Sequence, residues 1–243
     1  LGIFKKFYDR KEIDCLFVMC PISMIDEWCR EFVSQTGLSS IKYKDMVKDF
    51  QKNIKKYGCI EAYIKNNDIH CVVLNYDMVW RINNYDWIDN RWMLICDESH
   101  RIKNPSSKIG KYMKFLKVKT KYKICLTGTP QSQGFIDYYN QLYFLDKIDM
   151  TLGMFKDRYC VYEDRTFNGI KLKQLVGYKN VGEFEKMYLG NCEFLKIERV
   201  YDDIIKYHRI EIPTSSEYQR VLKDRVVYTN QDGKVVTNRG EIE

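Results

Sequence analysis

Four short apolar runs, nearly uninterrupted by polar residues, recur along the chain, and stretches of a different periodicity separate them. They are Cys15–Cys20, residues 70–74, residues 92–96 and Tyr122–Leu126. An apolar run without polar alternation suits a strand buried on both faces, the arrangement of parallel sheets covered by helices. Between the runs the apolar residues move to helical spacing. Residues 23–33 set Ile25, Trp28, Cys29 and Phe32 on one side, and residues 48–65 form a second candidate helix. Residues 106–116 carry a stripe of Ile109, Tyr112, Met113 and Leu116, with Lys108, Lys111 and Lys114 pointing away. Repeated strand, helix, strand units predict an α/β fold with a right-handed, doubly wound parallel sheet flanked by helices.

After Phe135 the pattern is helical through Asp146, then less regular, with short elements around residues 154–159 and 181–189. This reads as an elaboration packed on the sheet domain. Residues 206–212 can form a strand, and residues 226–229 and 234–237 flank Gln231-Asp232-Gly233, a hairpin turn pattern. Residues 201–243 are therefore expected to be a linker or the opening of another domain.

Of the 243 residues 45% are apolar, which supports a packed core, while 13 glycines and 4 prolines exclude collagen-like and low-complexity chains. The apolar runs are too short to span a bilayer, and no charged-then-apolar leader opens the sequence, so the expected compartment is the cytoplasm, or the nucleus of a eukaryote, and not the exterior. Nine cysteines without any Cys-x-x-Cys spacing read as reduced, mostly buried thiols. Three scattered histidines argue against a structural zinc site. The first residue is Leu1, and Ile3, Phe4, Phe7 and Tyr8 already run at helical spacing with no capping residue ahead. The expectation is a chain that begins inside a helix, as part of something longer.

The net charge is +7, and its distribution is uneven. Residues 101–136 hold nine basic side chains and no acidic one, so removing that +9 from the total leaves −2 for the rest. A focused basic segment fits a polyanion partner, and it equally fits a solvated lysine-rich helix face.

The sharpest chemical constellation is Asp97-Glu98-Ser99-His100, directly after the third apolar run. Ligands of open parallel sheets bind beyond the carboxyl ends of the strands, so adjacent carboxylates there stand where chemistry is done. One carboxylate can help hold a magnesium ion through its water shell while its neighbour polarises a water that attacks a terminal phosphate. The structural alternative is an acid pair stabilising a helix N-terminus. A second pattern, Leu126-Thr127-Gly128-Thr129-Pro130, makes a polar turn after the next strand, within reach of the Asp97 loop. A third, Cys20-Pro21-Ile22-Ser23, lies where a strand ends and a helix starts; Ser23 could cap that helix, whose free amides could take a nucleic-acid phosphate.

In this order the patterns resemble the first motor lobe of the Swi/Snf-type ATPases of the superfamily 2 helicases. Residues 18–23 with residues 28–32 match motif Ia, residues 73–77 the region of motif Ib, residues 97–104 motif II, and residues 126–130 motif III, followed by a helix ending Gln141-Leu142-Tyr143-Phe144-Leu145. The likeness covers roughly residues 1–220, and Lys103-Asn104 after motif II favours the Swi/Snf type.

The resemblance implies a RecA-like lobe over residues 1–200, binding ATP and magnesium and coupling hydrolysis to movement along double-stranded DNA, with residues 201–243 leading to a second RecA-like lobe. It implies magnesium at Asp97, through the water shell of the ion, and water activation by Glu98. His100, Thr127, Gly128 and Thr129 would couple nucleotide state to DNA grip, and Pro21, Ser23, Tyr76 and Lys103 would serve nucleic-acid binding. Two departures stand out: Ser99 occupies a position where the family usually has alanine, and Gln131-Ser132-Gln133-Gly134 replaces the usual apolar residue, Gln and Asn after Pro130. No glycine-rich phosphate loop closed by Lys and Ser or Thr occurs; Gly110-Lys111 and Gly233-Lys234 are followed by Tyr112 and Val235. The 243 residues alone are therefore expected not to hydrolyse ATP. Two other readings stay open: a non-catalytic nucleic-acid-binding module with the same lobe fold, and a metal-dependent hydrolase using Asp97, Glu98 and His100 as direct ligands.

Overall fold

A computed structural model describes residues 1–82, 85–130, 134–167 and 170–193, and the backbone of two short strands beyond them. The chain opens with α1 (Gly2–Asp9), β1 (Cys15–Cys20), a 3-10 turn (Ile22–Met24), α2 (Ile25–Thr36) and β2 (Ser40–Lys42). Three helices follow, α3 (Tyr43–Lys52), α4 (Ile54–Tyr57) and α5 (Ile60–Asn66), then β3 (Cys71–Asn75) and α6 (Tyr76–Val79). The next elements are β4 (Trp92–Asp97), a 3-10 turn (Ser99–Ile102), α7 (Lys108–Lys117), β5 (Tyr122–Leu126) and α8 (Ile136–Phe144).

The five strands form one parallel sheet in the order β2-β3-β1-β4-β5. Successive side chains of the central strands point to opposite faces, and both faces are buried. Phe17 and Met19 of β1, Val72 and Leu74 of β3, and Leu94 and Cys96 of β4 join one core with Met113 and Leu116 of α7. Leu16, Val18 and Cys20, Cys71 and Val73, and Met93 and Ile95 join the other, with Phe4 of α1 and Phe32 of α2. This two-sided burial explains why the strands read as continuous apolar runs. The doubly wound α/β sheet expected from the sequence is the sheet observed.

Several local expectations are corrected. The helix expected over residues 48–65 begins at Tyr43 and is broken twice, at Asn53 and at Gly58, whose φ of 72° lies in the region open chiefly to glycine. Strand β5 borders the sheet among the described residues, so it is only half covered, and Leu126 is 40% exposed. Ser23 caps nothing: it lies inside the 3-10 turn, and α2 has no side-chain capping bond. Gly110, within α7, is a packing glycine, since a Cβ there would stand 2.0 Å from the Asn104 carbonyl oxygen.

The elaboration after α8 consists of α9 (Leu152–Tyr159), the antiparallel pair β6 (Cys160–Phe167) and β7 (Ile170–Tyr178), and α10 (Val181–Leu189). Tyr138, Tyr139, Leu142, Phe155, Tyr159 and Phe184 give α8, α9 and α10 a core of their own. Residues 1–193 make one compact unit, and residues 194–243 are a second. In the second, β8 (Val227–Tyr228) and β9 (Val235–Val236) pair antiparallel, as a hairpin requires, while the strand expected at residues 206–212 lies outside the described residues. Five of the nine cysteines are buried, and all nine are free thiols. No helix among the described residues is long and apolar enough to cross a membrane.

Candidate active site at the carboxyl edge of the sheet

Helix α2, which follows β1, packs on one face of the sheet, and α7, which follows β4, packs on the other. The carboxyl ends of these neighbouring strands therefore open onto a crevice at a topological switch point, the usual ligand site of such sheets. Asp97 ends β4 inside that crevice and is held from three directions. Its Oδ2 accepts from the Trp28 indole nitrogen at 2.8 Å, its Oδ1 from the Glu98 amide at 3.1 Å, and its carbonyl oxygen from the Tyr76 hydroxyl at 2.6 Å. Burial pushes the Tyr76 phenol far above its ordinary range, so it remains a neutral donor. Burial likewise raises the neighbouring Cys20 thiol, to about 12, with the Asp97 charge adding to the effect.

Glu98 turns sharply out of the strand with φ 51° and ψ 52°, a left-handed conformation that costs a non-glycine residue about 1–2 kcal/mol. Its side chain makes no helix-capping bond. Instead Oε2 lies 3.2 Å from His100 Nδ1 and accepts from the Thr127 hydroxyl at 3.4 Å. The same His100 nitrogen lies 3.3 Å from Thr127 Oγ1 and 3.4 Å from Thr129 Oγ1. One ring nitrogen can serve only one partner fully at a time, so three groups share this junction. Glu98, His100, Thr127 and Thr129 thus converge where β4 and β5 end, with exposed Gly128 between the threonines.

The other expected site residues divide. Pro21 is half-buried and Ser23 exposed, beyond β1. The Tyr76 side chain is buried behind Asp97, which corrects its expected placement at a nucleic-acid-facing surface. Lys103 is turned toward α8, where its Nζ lies 3.4 Å from the buried Asp137 carboxylate. Among the described residues no three acidic, histidine or cysteine side chains converge to hold an ion directly.

Three side-chain contacts escaped the sequence reading. Trp28 was legible as a member of an apolar stripe and of the motif Ia segment, but not as a partner of Asp97, although a buried indole N–H needs an acceptor. The Ser99 hydroxyl and Gln141 are buried and bonded to each other. Nothing in the periodicity of α8 marks its inward Gln141, because apolar spacing does not record polar pairs.

The sequence model of the SNF2-related domain matches residues 3–162. The chain belongs to the SNF2-related domain family. DNA repair and recombination protein RDH54 of Saccharomyces cerevisiae (strain AWRI1631) is 29% identical over 153 residues, covering 60% of this chain and 16% of that protein. DNA repair and recombination protein RAD54B of Gallus gallus is 24% identical over 229 residues, covering 90% of this chain and 24% of that protein. The solved structure described as the Sulfolobus solfataricus SWI2/SNF2 ATPase core in complex with dsDNA aligns with a TM-score of 0.49 and 25% identity, over 65% of this chain and 31% of that one. The SNF2-related chain therefore spans a quarter or less of the length of these two protein relatives. The Swi/Snf resemblance carried by the motifs is family membership, and the crevice at Asp97 and Glu98 is the carboxyl edge of an SNF2-related domain.

Proposed function

We propose that the chain is the first RecA-like lobe, within residues 1–200, of an ATP-driven motor that moves on double-stranded DNA, with residues 201–243 leading toward a second lobe. The observation that carries this reading is the convergence of Glu98, His100, Thr127 and Thr129 at neighbouring strand ends in a chain of this family.

Asp97 would hold magnesium, through the water shell of the ion. Its carboxylate fits that task, because each oxygen accepts one hydrogen bond from the chain and keeps lone-pair capacity for another. Magnesium bound with ATP supplies charge neutralisation at the phosphates. Glu98 orients the attacking water and accepts its proton, work that rests on positioning more than on covalent chemistry. His100 passes between Glu98 and the Thr127-Gly128-Thr129 loop, which links the state of the nucleotide site to the grip on DNA. Pro21 and Ser23 meet the DNA backbone, and Tyr76 and Lys103, engaged inward, hold Asp97 and α8 in place. The triphosphate cradle of this reading is supplied from outside the 243 residues, since they contain no Gly-Lys-Ser or Gly-Lys-Thr.

The test is ATP hydrolysis by the complete polypeptide that contains this chain, with and without double-stranded DNA, beside its Glu98→Gln variant. DNA-stimulated hydrolysis that falls by about 10²–10⁴-fold in the variant supports the motor. DNA binding by a wild-type protein that hydrolyses nothing would make the lobe a non-catalytic binding module.

A further inference from the structure

Behind the Glu98 cluster, a single side chain joins the same two loops a second time. Ser99, which follows Glu98, is 0% exposed, and its hydroxyl donates to Gln141 Oε1 at 2.8 Å. Gln141 Nε2 donates to the carbonyl oxygen of Pro130, which follows Thr129, at 2.9 Å, and to that of Asp137 at 3.1 Å. The neighbouring Asn140 side chain donates to the Ile102 carbonyl, and Lys103 reaches Asp137. Helix α8 therefore clamps both ends of the turn after Glu98.

Buried polar residues are sparse in this protein. Among the described residues they are Ser99, Thr120, Asp137, Asn140 and Gln141, and all but Thr120 meet at this joint. Burying such groups stabilises little compared with apolar packing of the same shape, so their concentration needs a reason other than stability. An alanine at position 99 would leave Gln141 Oε1 without its donor. The front link through His100 is long and shared, at 3.2–3.4 Å, whereas the rear link is short and unshared on the serine side. A planar amide cannot stretch, so Ser99 and Pro130 keep a fixed offset.

We propose that Ser99 and Gln141 are a positioning pair that sets Glu98 against the Thr127-Gly128-Thr129 loop, so that a shift of this loop on DNA binding moves the water-activating carboxylate. This rests on the reading of Glu98 and of the DNA-dependent reaction given above. Two substitutions break the two arms separately. Ser99→Ala removes the serine hydroxyl with a residue of smaller size, and Gln141→Glu keeps the acceptor for Ser99 while losing the donor to Pro130.

In the complete polypeptide with saturating double-stranded DNA, each variant lowers kcat about 10-fold while the KM for ATP stays within about twofold, since misplacement of a reacting group costs rate rather than binding. The double variant is no slower than the worse single one, because one break disconnects the pair. Thermal unfolding is measured alongside, and Ser99→Ala keeps the test decisive if Gln141→Glu unfolds. Unchanged kcat in Ser99→Ala, or activity lost only in proportion to the folded fraction, overturns the pair while the motor reading stands on its wild-type activity. A wild type that DNA does not stimulate overturns the motor reading, and the pair with it.

Discussion

The Trp28 indole nitrogen donates to Asp97 Oδ2 at 2.8 Å, tying the helix after β1 to the last residue of β4 across the crevice between them. The bond fixes which lone pairs of Asp97 face the open side. Trp28→Phe keeps the apolar contact of the α2 stripe and removes only the donor. The expected outcome is a folded protein with magnesium-nucleotide affinity weakened about 10–100-fold, the usual effect of removing a group that orients a metal-binding carboxylate. Titration of the complete polypeptide with a fluorescent ATP analogue, at fixed and at varied magnesium, reads it. Unchanged affinity would make Trp28 a packing residue alone.

Strain at Glu98 yields a second expectation. A glutamate held at φ 51° carries a steric cost between its Cβ and its own backbone, whereas asparagine tolerates this left-handed conformation well. Glu98→Asn is therefore expected to raise stability by about 0.5–1 kcal/mol while hydrolysis falls by about 10²–10⁴-fold. Denaturant unfolding and ATP turnover on the same preparation check both halves. A variant that loses stability would show that the side-chain contacts of Glu98 outweigh the backbone strain.

The sheet was legible in the sequence because burial on both faces erases polar alternation from Leu16 to Met19 and from Met93 to Cys96. The short β2 was not legible, since Ser40, Ile41 and Lys42 are too few and too polar to show a period. The hairpin of β6 and β7 carried a signal that went unread: Asn168-Gly169 stands between the strands, and Phe167 pairs directly with Ile170. Glu163, Asp164 and Arg165 follow one another in β6 and are all exposed, so hydropathy alone is silent there. At the site, Asp97, Glu98, His100 and the threonines were legible because they are contiguous motifs. The bonds of Trp28, Ser99 and Gln141 were not, because their partners lie 69 and 42 residues away in sequence.

Asp146 gives a prediction in pH. Its partial burial acts to raise its carboxyl, but hydrogen bonds from Lys123 and Lys117 outweigh that and hold it below its ordinary value. Lys117 Nζ lies 3.1 Å away, and Lys123, almost fully buried, is also paired with it. A carboxyl whose value is lower in the folded state than in the unfolded one contributes stability above the unfolded value, and this is lost as pH falls through the folded one. Asp146→Asn is therefore expected to cost about 1 kcal/mol near neutral pH, kept small by solvent exposure of the Asp146 side. The difference from wild type should shrink as pH falls below about 4, the unfolded value of an aspartate. Thermal melts of both proteins from pH 7 down to pH 3 read the convergence, and a gap that stays constant would assign the effect to packing.

The basic segment separates in the structure into inward and outward charges. Lys103, Lys117, Lys119 and Lys123 form ion pairs with Asp137, Asp146 and Asp86, whereas Lys108, Lys111 and Lys114 are exposed along α7. Lys108 also lies 4.3 Å from the ring centre of Trp80, a stacked cation beside an aromatic surface. If this face touches the DNA backbone, each lysine releases about one counterion on binding, and replacing all three by glutamine lowers the slope of log affinity against log salt by about 2–3. Affinity falls evenly across DNA sequences, because phosphate contacts carry no base information. Binding isotherms of the complete polypeptide at several salt concentrations, wild type beside the triple variant, measure the slope. An unchanged slope makes the outward face of α7 solvated surface and leaves the strand-end loops near Pro21 and Ser23 as the DNA contact.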